Sequence, residues 1–216
     1  MAGKSSNAPW LILGGGVFLA SLVMIPVLLV AAALAGTGGG GGEDAGGGSL
    51  SGECDYDKIF SDASAGEAEG KAYVAGKTDT PPAKFIPIYN EISEKKNLGG
   101  CGPSILAGIH SIETGFADTG YSVVNDWGAG GPWQFLEGSW QGFAINHNPP
   151  CNEEGSRTWP AYSVENGACA AAHHLMGGGA PGNWRNGIYS YNHADWYVYA
   201  VTLQAQRFAE DVEGGT

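Results

Sequence analysis

Glu113 stands near the end of an apolar run, Ile105, Leu106, Ile109 and Ile112, whose spacing is helical, and a glycine- and aromatic-rich segment follows it. A carboxyl group held against apolar and aromatic neighbours loses hydration of its charged form, so its pKa rises and it keeps a proton near neutral pH. That is the property of a general acid. Gly115 ends the helix two residues later and lets the chain turn beneath the carboxyl, which places Glu113 at a corner between helix and loop. A second carboxylate would be needed for acid and base work split between two groups. Asp118 and Asp126 are the nearest candidates in sequence, and both lie in polar, glycine-rich surroundings that suit turn-forming Asp.

Other residue types invite different chemistry. His110 lies three residues before Glu113 on the same helical face, and H-x-x-E is a metal-binding spacing. No second His completes a zinc set, and the adjacent pair His173-His174 points in two directions on a helix, so the expectation is a packed imidazole and neither metal nor other cofactor. Cys101 precedes Gly102-Pro103 at a helix start, where a thiol is acidified, and with His147 or His193 as base it would make a cysteine peptidase. That reading requires an unpaired thiol. Cys54, Cys101, Cys151 and Cys169 are even in number and contain no C-x-x-C pair, which favours two disulfides; three pairings exist, and Cys54 with Cys101 and Cys151 with Cys169 is the expected one.

The elements that position these groups lie in the C-terminal two thirds. Residues 84 to 96 carry Phe85, Ile88, Tyr89 and Ile92 on one face and stop at Asn97-Leu98-Gly99-Gly100. Pro103 fits a first turn, and Ser104 to Thr114 form the helix that carries Glu113. Glycines at 115, 120, 128, 130, 131 and 138 exclude bulk helix and leave room for a short hairpin. Ser139 is expected to cap a short helix with Trp140 and Phe143, and Ser163 to cap an Ala-rich one from Val164 to Met176. Asn183 to Tyr191 form another, and Asp195 caps the last, with Val198, Val201, Ala205 and Phe208 on one face. The expected fold class is mainly α, one compact helical domain over residues 81–216 with a glycine-rich loop or small hairpin insertion.

The preceding 80 residues read differently. Residues 1–36 contain no Asp or Glu and a single basic residue, Lys4, and Leu11 to Ala35 contain no charge at all. Twenty-five apolar positions at about 1.5 Å each exceed a hydrocarbon core of about 30 Å, so this is a transmembrane helix with a short cytoplasmic stub. Ala33-Leu34-Ala35 has the form of a signal-peptide cleavage site, the alternative that would release the rest. Residues 37–80, beginning T-G-G-G-G-G-G-E-D-A-G-G-G-S, are expected to be a flexible and acidic stalk with one short helix. Everything after residue 36 would lie outside the membrane. That part holds all 22 acidic and nine of the ten basic residues, a formal charge of −13, which excludes nucleic acid and anionic headgroups as partners.

Three segments stand in order, S-I-E-T-G-F at 111 to 116, G-A-G-G-P-W-Q-F at 128 to 135 and Y-S-Y-N-H-A-D-W-Y-V at 189 to 198. Together they resemble the catalytic domain of lytic transglycosylases of the soluble type, in the lysozyme-like superfamily, over roughly residues 84 to 210. The resemblance implies an α+β lysozyme-like fold and cleavage of the β-1,4 bond between N-acetylmuramic acid and N-acetylglucosamine in peptidoglycan. It implies Glu113 as acid and then base, with Thr114, Trp133, Gln134, Phe135, Tyr191 and Asn192 around the substrate. Trp133 replaces the family's usual Met, and a Trp can stack on a sugar; Trp127 flanks the same motif and is read as cleft-lining too. The alternatives are a hydrolysing muramidase that uses Asp118 or Asp126 to place a water, and a wall-binding protein without activity. A membrane-tethered wall-cutting domain suits a secretion or conjugation apparatus as well as growth.

Overall fold

The computed structural model describes residues 54–147, 151 and 158–213. The transmembrane reading of residues 1–36 and the glycine tether up to residue 53 lie outside them. Among the described residues no helix is long and apolar enough to cross a membrane.

Helices dominate, in the order α1 (Tyr56–Asp62), α2 (Glu67–Val74), α3 (Ile86–Lys96), α4 (Gly102–Thr114), α5 (Glu137–Trp140), α6 (Val164–Gly177), α7 (Trp184–Tyr191) and α8 (Asp195–Glu213). Two short antiparallel strands, β1 (Ala129–Gly130) and β2 (Phe135–Leu136), make the short hairpin for which the glycine spacing left room, with Ala129 opposite Leu136. The caps follow local chemistry. Ser163 Oγ accepts the Asn166 N–H at 3.1 Å, and Asn183 Oδ1 accepts that of Asn186 at 3.0 Å. Ser139 is not a cap: α5 begins at Glu137 with no side-chain cap, and the chain then widens into a π-turn over Gln141–Ile145.

The axis of the core is α4 against α8, and α4 is buried on every side from Ser104 to Ile112, not along a single apolar face. A helix enclosed in this way must satisfy its polar side chains internally. Ser104 Oγ lies 2.6 Å from the Tyr56 hydroxyl, and Ser111 Oγ accepts from Gln204 Nε2 at 3.0 Å. Val198, Val201, Ala205 and Phe208 form the facing stripe of α8, as their spacing predicts.

Residues 54–80 correct the expectation of a stalk. Helices α1 and α2 pack on α8, and Ile59, Ala63 and Val74 are buried in the common core. Gly66 and Gly70, one turn apart, allow the approach: a Cβ at Gly66 would lie 2.2 Å from the Asp195 carbonyl carbon, and one at Gly70 would lie 2.9 Å from the Trp196 oxygen. Small residues that composition reads as linker are here the contact surface between helices. The Cys54–Cys101 disulfide, with Cα atoms 4.7 Å apart, fastens this N-terminal pair to the start of α4. Cys151–Cys169 ties the segment after α5 to α6, with Cα atoms 5.6 Å apart.

Gly167 on α6 faces the fully buried Trp133, whose Cδ1 would lie 2.1 Å from an added Cβ. Helix propensity alone favours Gly167→Ala by about 1 kcal/mol. Overpacking against an indole that cannot move costs about 1–3 kcal/mol and more at so short a contact. With the cost at the upper end of that range for a 2.1 Å contact, the variant is expected to lose about 2 kcal/mol net, read as a lower midpoint in urea unfolding at unchanged slope.

Candidate active site

Glu113 occupies the last turn of α4, and Gly115 closes that helix in the left-handed conformation (φ +63°), its N–H donating to the Ser111 carbonyl at 2.9 Å. The corner is then locked from two sides. Thr114 Oγ1 donates to the Pro132 carbonyl at 2.7 Å and accepts the Ala117 N–H at 3.2 Å, so the hydroxyl joins the helix end to the glycine-rich loop. His110 is fully buried beneath, with Nε2 donating to the Ala117 carbonyl at 2.9 Å. Because a carbonyl only accepts, Nε2 carries the proton and Nδ1 accepts from the Tyr89 hydroxyl at 2.9 Å. Both nitrogens are used, and burial pulls the His110 pKa down to about 4. It is a neutral brace, as its apolar setting predicts.

The carboxyl of Glu113 accepts a 2.5 Å hydrogen bond from the Tyr197 hydroxyl. Burial pushes its pKa up to about 7; the Tyr197 hydrogen bond and the charge of Lys77 oppose this. Tyr197 comes from the first turn of α8, and its ring lies parallel to that of Tyr191 at 6.2 Å between centroids. Tyr191 at the end of α7 donates its hydroxyl to the Trp133 carbonyl at 2.8 Å, so it holds the glycine-rich loop beside Glu113. Both phenols are pushed well above their usual pKa by burial, and the nearby Glu113 charge adds to it. They are neutral donors across the working pH range. Asn192 follows, exposed, at the C-cap of α7.

The loop itself is held by Tyr162, whose hydroxyl donates to the Gly130 carbonyl at 2.8 Å and accepts the Trp133 N–H at 3.2 Å. Gln134 has a left-handed backbone (φ +49°), and its side chain serves the loop: Nε2 donates to the Gly131 carbonyl at 2.9 Å and Oε1 accepts from Asn125 Nδ2 at 3.0 Å. Two expectations are corrected here. Trp133 is fully buried, stacked on His110 at 4.7 Å with its Nε1 donating to the Val164 carbonyl, and Phe135 is 2 % exposed. Neither presents a face to a sugar. Trp133 and Phe135 wedge this loop against the core, and the aromatic side chain open to solvent on the same loop is Trp127, 63 % exposed.

Among the described residues, none of the remaining candidates is hydrogen-bonded to Glu113. Asp118 is exposed and ion-paired with Lys84, which holds its carboxyl below the usual range; Asp126 is exposed in the loop. Cys101 is consumed by its disulfide, which removes the nucleophile of the peptidase reading. Cys151, Cys169 and His173 gather their ligand atoms within 4.8 Å. The two sulfurs are bonded to each other, and His173 Nδ1 donates to the Phe143 carbonyl at 2.9 Å, so no thiolate and no free Nδ1 lone pair are available to a metal.

Sequence reasoning missed Tyr197, Tyr162 and Lys77. Tyr197 stands within the third motif, and the only local signal for it is its place one turn into a helix capped beside Tyr191-Asn192. Assembled, the site is one protonatable carboxyl, a neutral phenol donor upon it, a lysine nearby and a rigid glycine-rich loop. It can deliver a proton and later take one back. No protein-family profile, no curated protein and no solved structure matches the chain.

Proposed function

We propose that this protein is a peptidoglycan-cleaving lytic transglycosylase with a lysozyme-like catalytic domain, and that Glu113 is its single acid and base. The observation that carries the reading is a Glu113 carboxyl lifted to about 7 by burial while accepting from the Tyr197 hydroxyl. A group with a pKa near the working pH is both a competent acid and a competent base. In the first step the Glu113 carboxyl protonates the bridging oxygen as the bond from that oxygen to the anomeric carbon breaks. In the second, the muramyl C6 oxygen bonds to the anomeric carbon and its proton passes to the Glu113 carboxylate. The products are a 1,6-anhydro-muramyl end and a free N-acetylglucosamine hydroxyl.

The single-acid route is favoured over a hydrolysing one because, among the described residues, the charged group acting on Glu113 is Lys77, while Asp118 is engaged with Lys84. Two-carboxylate glycosidases need a partner within about 5–10 Å. The apolar segment of residues 1–36 is proposed as the anchor and the tether up to residue 53 as the link, placing the domain at the outer membrane face near wall strands. The acidic charge suits a partner recognised in a cleft and not through its phosphates.

Mass spectrometry of digested, purified peptidoglycan tests the reaction. Anhydro-muramyl ends are expected, and reducing muramyl ends would transfer the assignment to a water-using muramidase. Cleavage at low substrate should fall as pH rises through about 7, because the proton-loaded form of Glu113 is then lost.

A further inference from the structure

The residues directly after α2 reach the catalytic corner. Ala75 (φ −60°, ψ 121°) and Gly76 (φ +79°), closed by the Lys77 N–H donating to the Val74 carbonyl at 3.1 Å, form a type II turn, in which a positive φ suits glycine. The turn folds Lys77 back so that its Nζ lies 4.8 Å from the centroid of the Tyr73 ring. Tyr73 is itself anchored to the site: its hydroxyl donates to the carbonyl of Ile112, the residue before Glu113, at 3.4 Å. Its ring packs on Trp196 at 5.0 Å, and Trp196 meets Tyr197 edge-on at 5.8 Å. The next residues are fastened as well, with Gln204 Nε2 donating to the Thr78 carbonyl at 3.1 Å and Arg207 paired with Asp79 at 3.2 Å.

Among the described ion pairs none involves Lys77. The acidic group whose charge it feels is Glu113, and that charge partly offsets the burial that lowers the Lys77 pKa. The other titratable groups facing Glu113 are phenols: Tyr73 from α2, Tyr162 from the segment before α6, Tyr191 from α7 and Tyr197 from α8. Lys77 is the cation in this set.

We propose that Lys77 is a positioning residue for the Glu113 cycle: its ammonium stabilises the carboxylate left when the proton has gone to the leaving oxygen, which makes the α1–α2 pair a working part of the site. The proposal rests on the acid–base reading of Glu113. Without a cation, the carboxylate formed in a buried, phenol-lined corner is stabilised only by the Tyr197 hydrogen bond, so handing the proton to the leaving oxygen costs more.

The test is a carbon-13 titration of side-chain carboxyls in the full-length chain, with the Glu113 signal assigned by its loss in Glu113→Gln. In Lys77→Met the midpoint of Glu113 is expected to rise, so that its protonated fraction at pH 8 grows about threefold, while Lys77→Arg stays close to the parent. The alkaline limb of glycan cleavage should move upward by the same amount in Lys77→Met and not in Lys77→Arg. Lys77→Gln serves if the Met variant melts early. An unchanged Glu113 midpoint in both neutral variants would overturn the proposal. Because the titration needs no turnover, a protein that cuts no glycan yet shows the Lys77-dependent shift would refute the transglycosylase reading and leave the coupling standing.

Discussion

Replacing Glu113 with Gln is expected to abolish glycan cleavage while making the protein more stable at neutral and alkaline pH. Proton transfer by a placed side chain contributes about 10²–10⁴-fold, and with one side chain serving both steps the loss should lie at the upper end of that range. The stability effect has the opposite sign from most active-site substitutions. Burial pushes Glu113 up to about 7 in the folded chain against 4.5 for an unperturbed glutamate, so the folded state holds the proton more tightly. As pH rises from about 4.5 to about 7 the unfolded chain gains from ionising and the folded one does not, and stability falls across that window. The amide cannot ionise and escapes the penalty, about 3 kcal/mol at most above the folded pKa. Thermal melts of parent and variant should coincide at pH 4 and separate at pH 8, the variant melting higher. Coincident melts at pH 8, with folding confirmed, would mean that the carboxyl is not held in its neutral form.

The second large effect is on the covalent tie between α1 and α4. Cys54–Cys101 spans a sequence separation of 47 and Cys151–Cys169 one of 18. In the chain-entropy description these closures stabilise by about 4 and about 3 kcal/mol respectively. Cys54→Ser with Cys101→Ser should therefore be the more damaging pair of substitutions, read by urea unfolding under non-reducing conditions. It should also reach the site, because α1 and α2 are held at their N-terminal end by this bond and deliver Tyr73 and Lys77 at the other. A partial opening of residues 54–80 before the rest unfolds, seen as early amide exchange across α1 and α2, is the expected signature. Equal unfolding midpoints for parent and double variant would show that helix packing alone holds the segment.

Residues 54–80 also show where composition misleads. Glycine, alanine and charged residues are abundant there, which reads as tether when only neighbours in sequence are considered. Packed on α8, the same small residues are what lets two backbones approach, and a few apolar positions, Ile59, Ala63 and Val74, suffice to seat the segment. Trp133 shows the converse. Its type suggested a sugar platform, but an indole opposite Gly167 and beside His110 finds a cavity of its own size inside the domain, and burial of so large a ring outweighs any use at the surface.

Periodicity, capping residues and glycine stops are properties of adjacent residues, and they sufficed to locate the helix that carries Glu113, the end of that helix at Gly115, the Ser163 cap and the apolar stripe of α8. The even cysteine count indicated disulfides and left three pairings open. Folding chose among them, and it alone brought Tyr197 to a carboxyl 84 positions away, set Tyr191 against the Trp133 carbonyl and placed Lys77 where its charge acts on Glu113. Those partners come from separate helices whose relative placement is decided by how their faces pack. The apolar run around Glu113 indicated the direction of its pKa shift, upward by burial, while the groups that oppose the shift, Tyr197 and Lys77, came only from the packing of separate helices.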